Sequence, residues 1–276
     1  FYYALMLENG EGIEQNKEEA VRYYKLSADK GDVDSMYNYA IMVDKGEGTE
    51  QNKEEVVRYL KLASDKGDID SMHYYADMLS QGDGIAKNIK EASRYYKLAA
   101  DTGDIDSINQ YANMLSEGDV IPKNIKEAAR YYKLAADSGD IDSIKNYANM
   151  LSEGNVIAKN TVEASQYYKL AADCGDSSDK FDYAYKLYNG FGIEMNKKEA
   201  AQYYKLAADE GNVEAMKQYA NMNYVGDGIE LNKEESAKYY KLAADEGDVY
   251  SINCYGCMLS KGDGIEQNKE EAARYF

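Results

Sequence analysis

The sequence predicts an all-α protein assembled from repeated helix pairs, and three observations predict it. Glycine recurs at 31, 67, 103, 139, 175, 211 and 247, a 36-residue period kept without insertion or deletion through a chain of 276 residues. Between those glycines the apolar residues fall at helical spacing, on one face of each segment. In every period an asparagine is followed three residues later by a glutamate, which marks a helix start at the same place each time. A fixed period of this size is the signature of a repeat architecture.

Counted from Ser35, complete units run 35–70, 71–106, 107–142, 143–178, 179–214 and 215–250, with a partial first copy at 1–34 and a truncated eighth at 251–276. The whole of 1–276 is therefore expected to form a single array. In the first helix of a unit, Met36, Tyr39, Ala40 and Val43 stand at i, i+3, i+4 and i+7, one apolar face. That helix ends at glycines such as Gly46 and Gly48, which can take the left-handed conformation that closes a helix. The second helix opens at Asn16, Asn52, Asn88, Asn124, Asn160, Asn196, Asn232 or Asn268, with Glu19, Glu55 and their equivalents three residues on. The pattern predicts an N-cap whose partner carboxylate reaches back to the cap's own N–H, as in a capping box. The apolar face of this helix carries Ala20, Tyr23, Tyr24 and Ser27 or their equivalents. After the closing glycine, Asp32, Asp68, Asp104, Asp140, Asp176, Asn212 or Asp248 is placed to cap the next first helix.

Charge and length set limits on function. Fifty acidic residues against 32 basic ones give a net charge of -18. A grip on phosphate backbones has no electrostatic basis in that balance, so nucleic acid and anionic membrane surfaces are not expected partners. No apolar run approaches the ~18 residues that span a bilayer. Three cysteines, with only Cys254 and Cys257 near each other, make no disulfide framework and favour a reducing compartment such as the cytoplasm. Most carboxylates are accounted for by capping and solvated faces, where first-turn acids interact favourably with the helix dipole.

Segments such as SMYNYAIMVDKGEGTEQNKEEVVRYLKLASDKGDID from Ser35, and the stretch from Ala215, resemble the Sel1-like repeat, a relative of the tetratricopeptide repeat. The resemblance runs from end to end, with three recurrent departures. The family's Leu-Gly in the first helix is Tyr-Ala here, as in Tyr111 and Ala112, glycine surviving at Gly256. Its second-helix Trp is Tyr, as in Tyr95 and Tyr131, and a closing lysine becomes Leu98, Leu134 and their equivalents. The resemblance implies an α/α solenoid, a right-handed superhelix of antiparallel helix pairs with first helices lining the concave surface. It also implies an adaptor or scaffold role in protein assemblies.

Opposite the apolar face of each first helix lies a stripe that varies from copy to copy: Asp34, Asn38, Ile41, Lys45 in one, Asp142, Asn146, Asn149, Glu153 in another. It carries amide pairs at i, i+3, namely Gln110 with Asn113, Asn146 with Asn149, and Gln218 with Asn221. Such pairs offer donors and acceptors together, as needed to hold the backbone of an extended peptide. Tyr74 and Tyr185 on the same stripe are the expected aromatic anchors. Asp34, Asp70, Asp106, Asp142 and Asp182 would favour a basic peptide.

Catalytic constellations are poorly represented, and no enzyme, metal site or cofactor is expected. The single histidine, His73, shares its column with Tyr37, Asn109, Lys145 and Lys217 and reads as a surface substitution. Cys254 and Cys257 have redox spacing, but they fall about six residues past the cap at Asp248, away from the helix N-terminus that lowers a thiol pKa. The GDGI turns lack the Gly-Lys-Ser/Thr end of a phosphate loop and the oxygen pattern of an EF-hand. Two further readings stand beside the scaffold: a spacer positioning domains outside this stretch and, remotely, a hydrolase or redox enzyme. Because the chain opens at Phe1 without methionine, it reads as a fragment, and Phe1, Tyr2, Tyr275 and Phe276 present apolar ends. End-to-end self-association is the expected behaviour, and a clean monomer in light scattering at high concentration would contradict it.

Overall fold

Asparagine and aspartate side chains set the helix boundaries. The computed structural model describes residues 1–155 and 157–276, and sixteen helices and no strand occur among them. One unit, Phe1–Ser138, contains α1 (Tyr2–Asn9), α2 (Lys17–Ala28), α3 (Val33–Lys45), α4 (Lys53–Asp65), α5 (Ile69–Gln81), α6 (Ile89–Ala100), α7 (Ile105–Glu117) and α8 (Ile125–Asp137). The other, Gly139–Phe276, contains α9 (Ile141–Glu153), α10 (Thr161–Cys174), α11 (Ser177–Asn189), α12 (Lys197–Asp209), α13 (Val213–Val225), α14 (Lys233–Asp245), α15 (Val249–Lys261) and α16 (Lys269–Tyr275). Within each unit every helix packs on the next one in the chain.

All eight expected asparagines cap a second helix, each accepting from the amide three residues on at 3.0–3.2 Å. The predicted reciprocal bond does not form. The backbone N–H of the capping asparagine donates instead to a carbonyl near the end of the preceding first helix, as from Asn88 to Leu79 at 2.8 Å and from Asn124 to Leu115 at 2.9 Å. With that donor satisfied, the glutamate turns to the asparagine's Nδ2, as in Asn124 to Glu127 at 2.7 Å. One cap thus closes a helix start and ties it to its partner helix. The aspartates at the first helices behave as expected, and Asp176 with Asp179 adds a true capping box at α11.

The core is alanine and tyrosine. Met36, Tyr39, Ala40 and Val43 are buried, as are Ala20 and Tyr24, whereas Tyr23 is exposed. In every copy a second-helix tyrosine stands edge-on to a first-helix tyrosine, with centroids 4.8–5.2 Å apart, as in Tyr39 with Tyr59 and Tyr111 with Tyr131. Such pairs are worth about 0.5–1.5 kcal/mol each beyond their burial. The same second-helix hydroxyl donates to an aspartate thirty residues earlier, Tyr95 to Asp65 at 2.9 Å and Tyr131 to Asp101 at 2.6 Å. Burial and that carboxylate raise the Tyr59 phenol to about 12. The ring therefore joins both helices of its own copy to the copy before.

Turn glycines make a second inter-copy contact. Gly84 has φ +68°, and a Cβ there would lie 2.6 Å from Cβ of Lys53. Lys53 also bridges to Asp83 at 2.6 Å, as Lys17 does to Glu47, Lys197 to Asp227 and Lys233 to Asp263. At the start of α6 the lysine column holds Ile89, and in the following copy the glycine column holds Val120, so lysine and glycine are both replaced at this joint. At Gly67, where φ is +97°, an added methyl group would meet nothing within 4 Å. Gly67→Ala should cost about 1 kcal/mol from the left-handed backbone alone, whereas Gly84→Ala should cost about 1–3 kcal/mol more through overlap. Asn124→Ala should cost about 1 kcal/mol. Urea denaturation of the three variants checks the order.

Candidate functional site

The variable stripe of the first helices has a structural rationale that helical spacing alone does not supply. The position held by Asn113, Asn149 and Asn221 faces a tyrosine nineteen residues later on the partnering second helix. Oδ1 of each accepts that hydroxyl at 2.5 Å, from Tyr132, Tyr168 and Tyr240. Asp77 does the same for Tyr96. Where the later residue is Leu60 or Phe276, with no hydroxyl, the earlier one is Ile41 or Cys257. The expectation that these asparagines offer donor and acceptor together is therefore corrected: the acceptor satisfies an internal tyrosine, and Nδ2 is the group left over.

The other predicted residues divide. Gln218 donates to Glu214 at 2.9 Å. Gln110 is exposed and Asn146 half-buried. Tyr74 is half-buried, with its hydroxyl on Asp44 at 2.5 Å. Tyr185 is exposed, stacks on Phe181 and tilts against the exposed Phe191, forming an aromatic patch in the second unit. Asp182 is held above the usual carboxylate range by burial.

The stripe comes together most fully at α13–α15. Asn221 and Val225 of α13 and Tyr250, Cys254, Cys257 and Lys261 of α15 line a cavity of about 440 Å³, with the buried Tyr240 of α14 among its walls. Tyr250 also donates to Oδ1 of Asn221, at 3.1 Å. Tyr224, Asn253, Met258 and Asp263 complete the lining and lie outside the stripe as read from sequence. Burial raises the Cys254 thiol, against the opposing hydrogen bonds of Tyr250 and Tyr240, so this is a neutral thiol in a mainly apolar pocket. No group of three or more potential metal ligands occurs among the described residues.

His73 departs from its expected place on the surface. Its side chain is largely enclosed, with Nδ1 2.9 Å from Oγ of Ser107 and 3.5 Å from Asp104, and Nε2 3.4 Å from Asp77. Tyr96 lies edge-on to the ring. Serine, histidine and aspartate do meet here, yet Ser107 is fully buried in α7 and presents no hydroxyl to a substrate. The column explains the arrangement: Lys145 reaches Asp179 at 2.8 Å and Lys217 reaches Asp248 at 3.8 Å, so this position clamps the N-terminus of the next first helix. That reach over 31–34 residues is invisible in local spacing.

The hydrogen bond to Asp77 raises the His73 pKa against the effect of burial, with Asp104 and Asp106 adding to the shift. Asp77 is lowered, its bonds to His73 and Tyr96 outweighing desolvation. A raised histidine stabilises fully below the unfolded value of about 6.5, and the contribution fades as pH rises through the folded pKa. His73→Asn should therefore cost about 1 kcal/mol more at a pH of about 6 than at about 9. Parallel urea titrations at the two pH values measure the difference.

Among solved structures, the chain is similar to a protective antigen present in uropathogenic Escherichia coli strains that displays an SLR fold, with TM-score 0.79 and 24% identity over 99% of this chain. It spans 66% of that antigen's length. A Sel1 repeat protein from Oxalobacter formigenes matches with TM-score 0.68 and 20% identity, over 93% of this chain and 75% of that one. These likenesses establish the all-helical solenoid fold of stacked pairs. No curated protein sequence matches the chain. The Sel1 repeat model matches residues 1–32, 33–68, 69–104, 105–140, 141–176, 180–212, 213–248 and 253–276, with the starts at 33, 69, 105, 141 and 213 two residues ahead of the frame counted from Ser35. Eight copies thus tile the sequence, and the chain belongs to the Sel1 repeat family, whose members typically serve as protein-interaction scaffolds.

Proposed function

We propose that this chain is a non-catalytic interaction scaffold that holds a peptide or partner protein along the variable stripe of its first helices. The observation that carries the reading is the cavity between α13 and α15. It gathers the stripe residues of two successive copies around one apolar hollow of about 440 Å³. A hollow of that size with few polar groups suits the insertion of one or two large side chains. Tyr250, half exposed above it, is the side chain placed to close over them.

In this reading Asn113, Asn149 and Asn221 have an altered role. Each Nδ2 can donate to a peptide carbonyl while Oδ1 stays on its tyrosine, so the amides contribute donors only. Gln110, Asn146 and Gln218 are the neighbouring polar contacts, and Tyr74 and Tyr185 the aromatic ones. The carboxylates of Asp34, Asp70, Asp106 and Asp142 at the starts of the first helices favour a basic peptide over an acidic one.

Peptides selected from a random display library against the intact chain test this directly. The expected consensus has a large apolar residue flanked by lysine or arginine. Cys254→Trp, which fills the cavity, should weaken binding by about tenfold or more in fluorescence anisotropy. Equal affinity of the filled variant, or a consensus with no apolar position, would sink the reading.

A further inference from the structure

All five arginines of the chain, Arg22, Arg58, Arg94, Arg130 and Arg274, occupy one column of the 36-residue period, the sixth position of the second helix. Every other cation is a lysine apart from the one histidine. Four of the five lie in the Phe1–Ser138 unit, on α2, α4, α6 and α8. Four residues further along the same helices stand Leu26, Leu62, Leu98 and Leu134, between 39% and 49% exposed. Residues at i and i+4 share a helix face, so the solvent side of these helices carries a guanidinium and a leucine in each copy.

The arginines are oriented rather than paired. Among the described residues Arg274 is the arginine in an ion pair, 3.6 Å from Glu270. Cζ of Arg58, Arg94 and Arg130 lies 4.8–5.9 Å from the ring of the following tyrosine, which leaves the N–H edges toward solvent. Asp65 and Asp101, which feel Arg94 and Arg130 electrostatically, are already bonded by Lys61 and Tyr95 and by Lys97 and Tyr131. Arg94 further borders a cavity of about 450 Å³ together with Lys97 and Lys123, against Leu115, Ile121 and Pro122. Lys97 is bridged to Asp101 at 2.7 Å, while Arg94 and Lys123 stand in no ion pair among the described residues, so two cations face one lining carboxylate, Glu127, across an apolar floor in a chain of net charge -18.

We propose that this surface of the Phe1–Ser138 unit is a second docking site, distinct from the first-helix stripe, and that its occupant is an acidic protein segment with interspersed apolar residues. Carboxylates meet the arginine forks, a geometry guanidinium recognises in bidentate fashion, and apolar side chains cover the leucines. The arginine-bearing helices are every second helix of the unit, so each further copy adds one guanidinium and one leucine to the surface offered. The Gly139–Phe276 unit supplies an internal contrast: Leu170, Leu206 and Leu242 remain exposed there, but the arginine column reads Gln166, Gln202 and Lys238.

The test uses the intact chain and a fluorescein-labelled peptide of repeated Leu-Glu-Glu triplets, read by anisotropy at low salt. Binding should fall about tenfold or more in Arg94→Gln/Arg130→Gln, whose side chains are exposed and whose helicity circular dichroism verifies. Lys123→Gln should weaken binding less, and Gln202→Arg, on α12 outside this unit, should leave it unchanged. Cys254→Trp should leave it unchanged, which separates this site from the stripe. A Leu-Lys-Lys peptide should not bind, and a Ser-Glu-Glu peptide should bind more weakly. No saturable binding of the Leu-Glu-Glu peptide, unchanged affinity in the double arginine variant, or binding to phosphatidylserine vesicles in place of the peptide would overturn the proposal.

Discussion

The fold depends on one tyrosine in each second helix. Tyr59, Tyr95, Tyr131, Tyr203 and Tyr239 each stand edge-on to a tyrosine of their own first helix and donate to Asp29, Asp65, Asp101, Asp173 and Asp209 of the copy before. A buried hydroxyl without an acceptor costs more than the bond it could make, so the aspartate at the end of the preceding helix is as fixed as the ring. Tryptophan, the family's residue at this position, has an indole donor differently placed. The tyrosine and its aspartate are a matched pair, and the abundance of both residues follows from the repetition of one joint between successive copies.

The same logic extends to the second tyrosine of the pair. Tyr96, Tyr132, Tyr168 and Tyr240 send their hydroxyls back to the first helix, and the acceptor column becomes Asp77, Asn113, Asn149 and Asn221 to receive them. Variation on the stripe is therefore of two kinds. Positions bound to a tyrosine serve that tyrosine; Gln110, Tyr185 and Tyr250 stay exposed, the last two beyond their internal contacts with Phe181 and Asn221. The second kind is where recognition is to be sought.

Much of this was legible beforehand. The period, the caps at Asn16 to Asn268 and at Asp32 to Asp248, and the apolar face of Met36, Tyr39, Ala40 and Val43 rest on short-range rules, and each appears as read. Contacts between copies were harder to read. The cap N–H that bonds Leu79 or Leu115, the enclosure of His73 by Asp104 and Ser107, and the tyrosine hydroxyls on Asn113 and Asn149 all join residues 9 to 34 apart. Helical spacing within one segment carries no trace of them. The pairing of Ile41 with Leu60 and of Cys257 with Phe276 was nevertheless present in the sequence, as a correlation between columns nineteen residues apart.

The lysine bridges that leave α2, α4, α12 and α14 each end on an acid thirty residues ahead, while the tyrosine hydroxyls reach thirty residues behind. Each of these copies thus carries one half of each joint on either side. Duplicating or deleting 36 residues within such a run recreates the same joints at the new seam, so copy number can drift without any compensating substitution. Copies that begin their second helix with Ile89, Ile125 or Thr161 lack the lysine half, and a seam there joins unlike edges. Unequal exchange should therefore be tolerated within the lysine-bearing runs and resisted at their borders, which makes the interruption a boundary for growth and loss of the array.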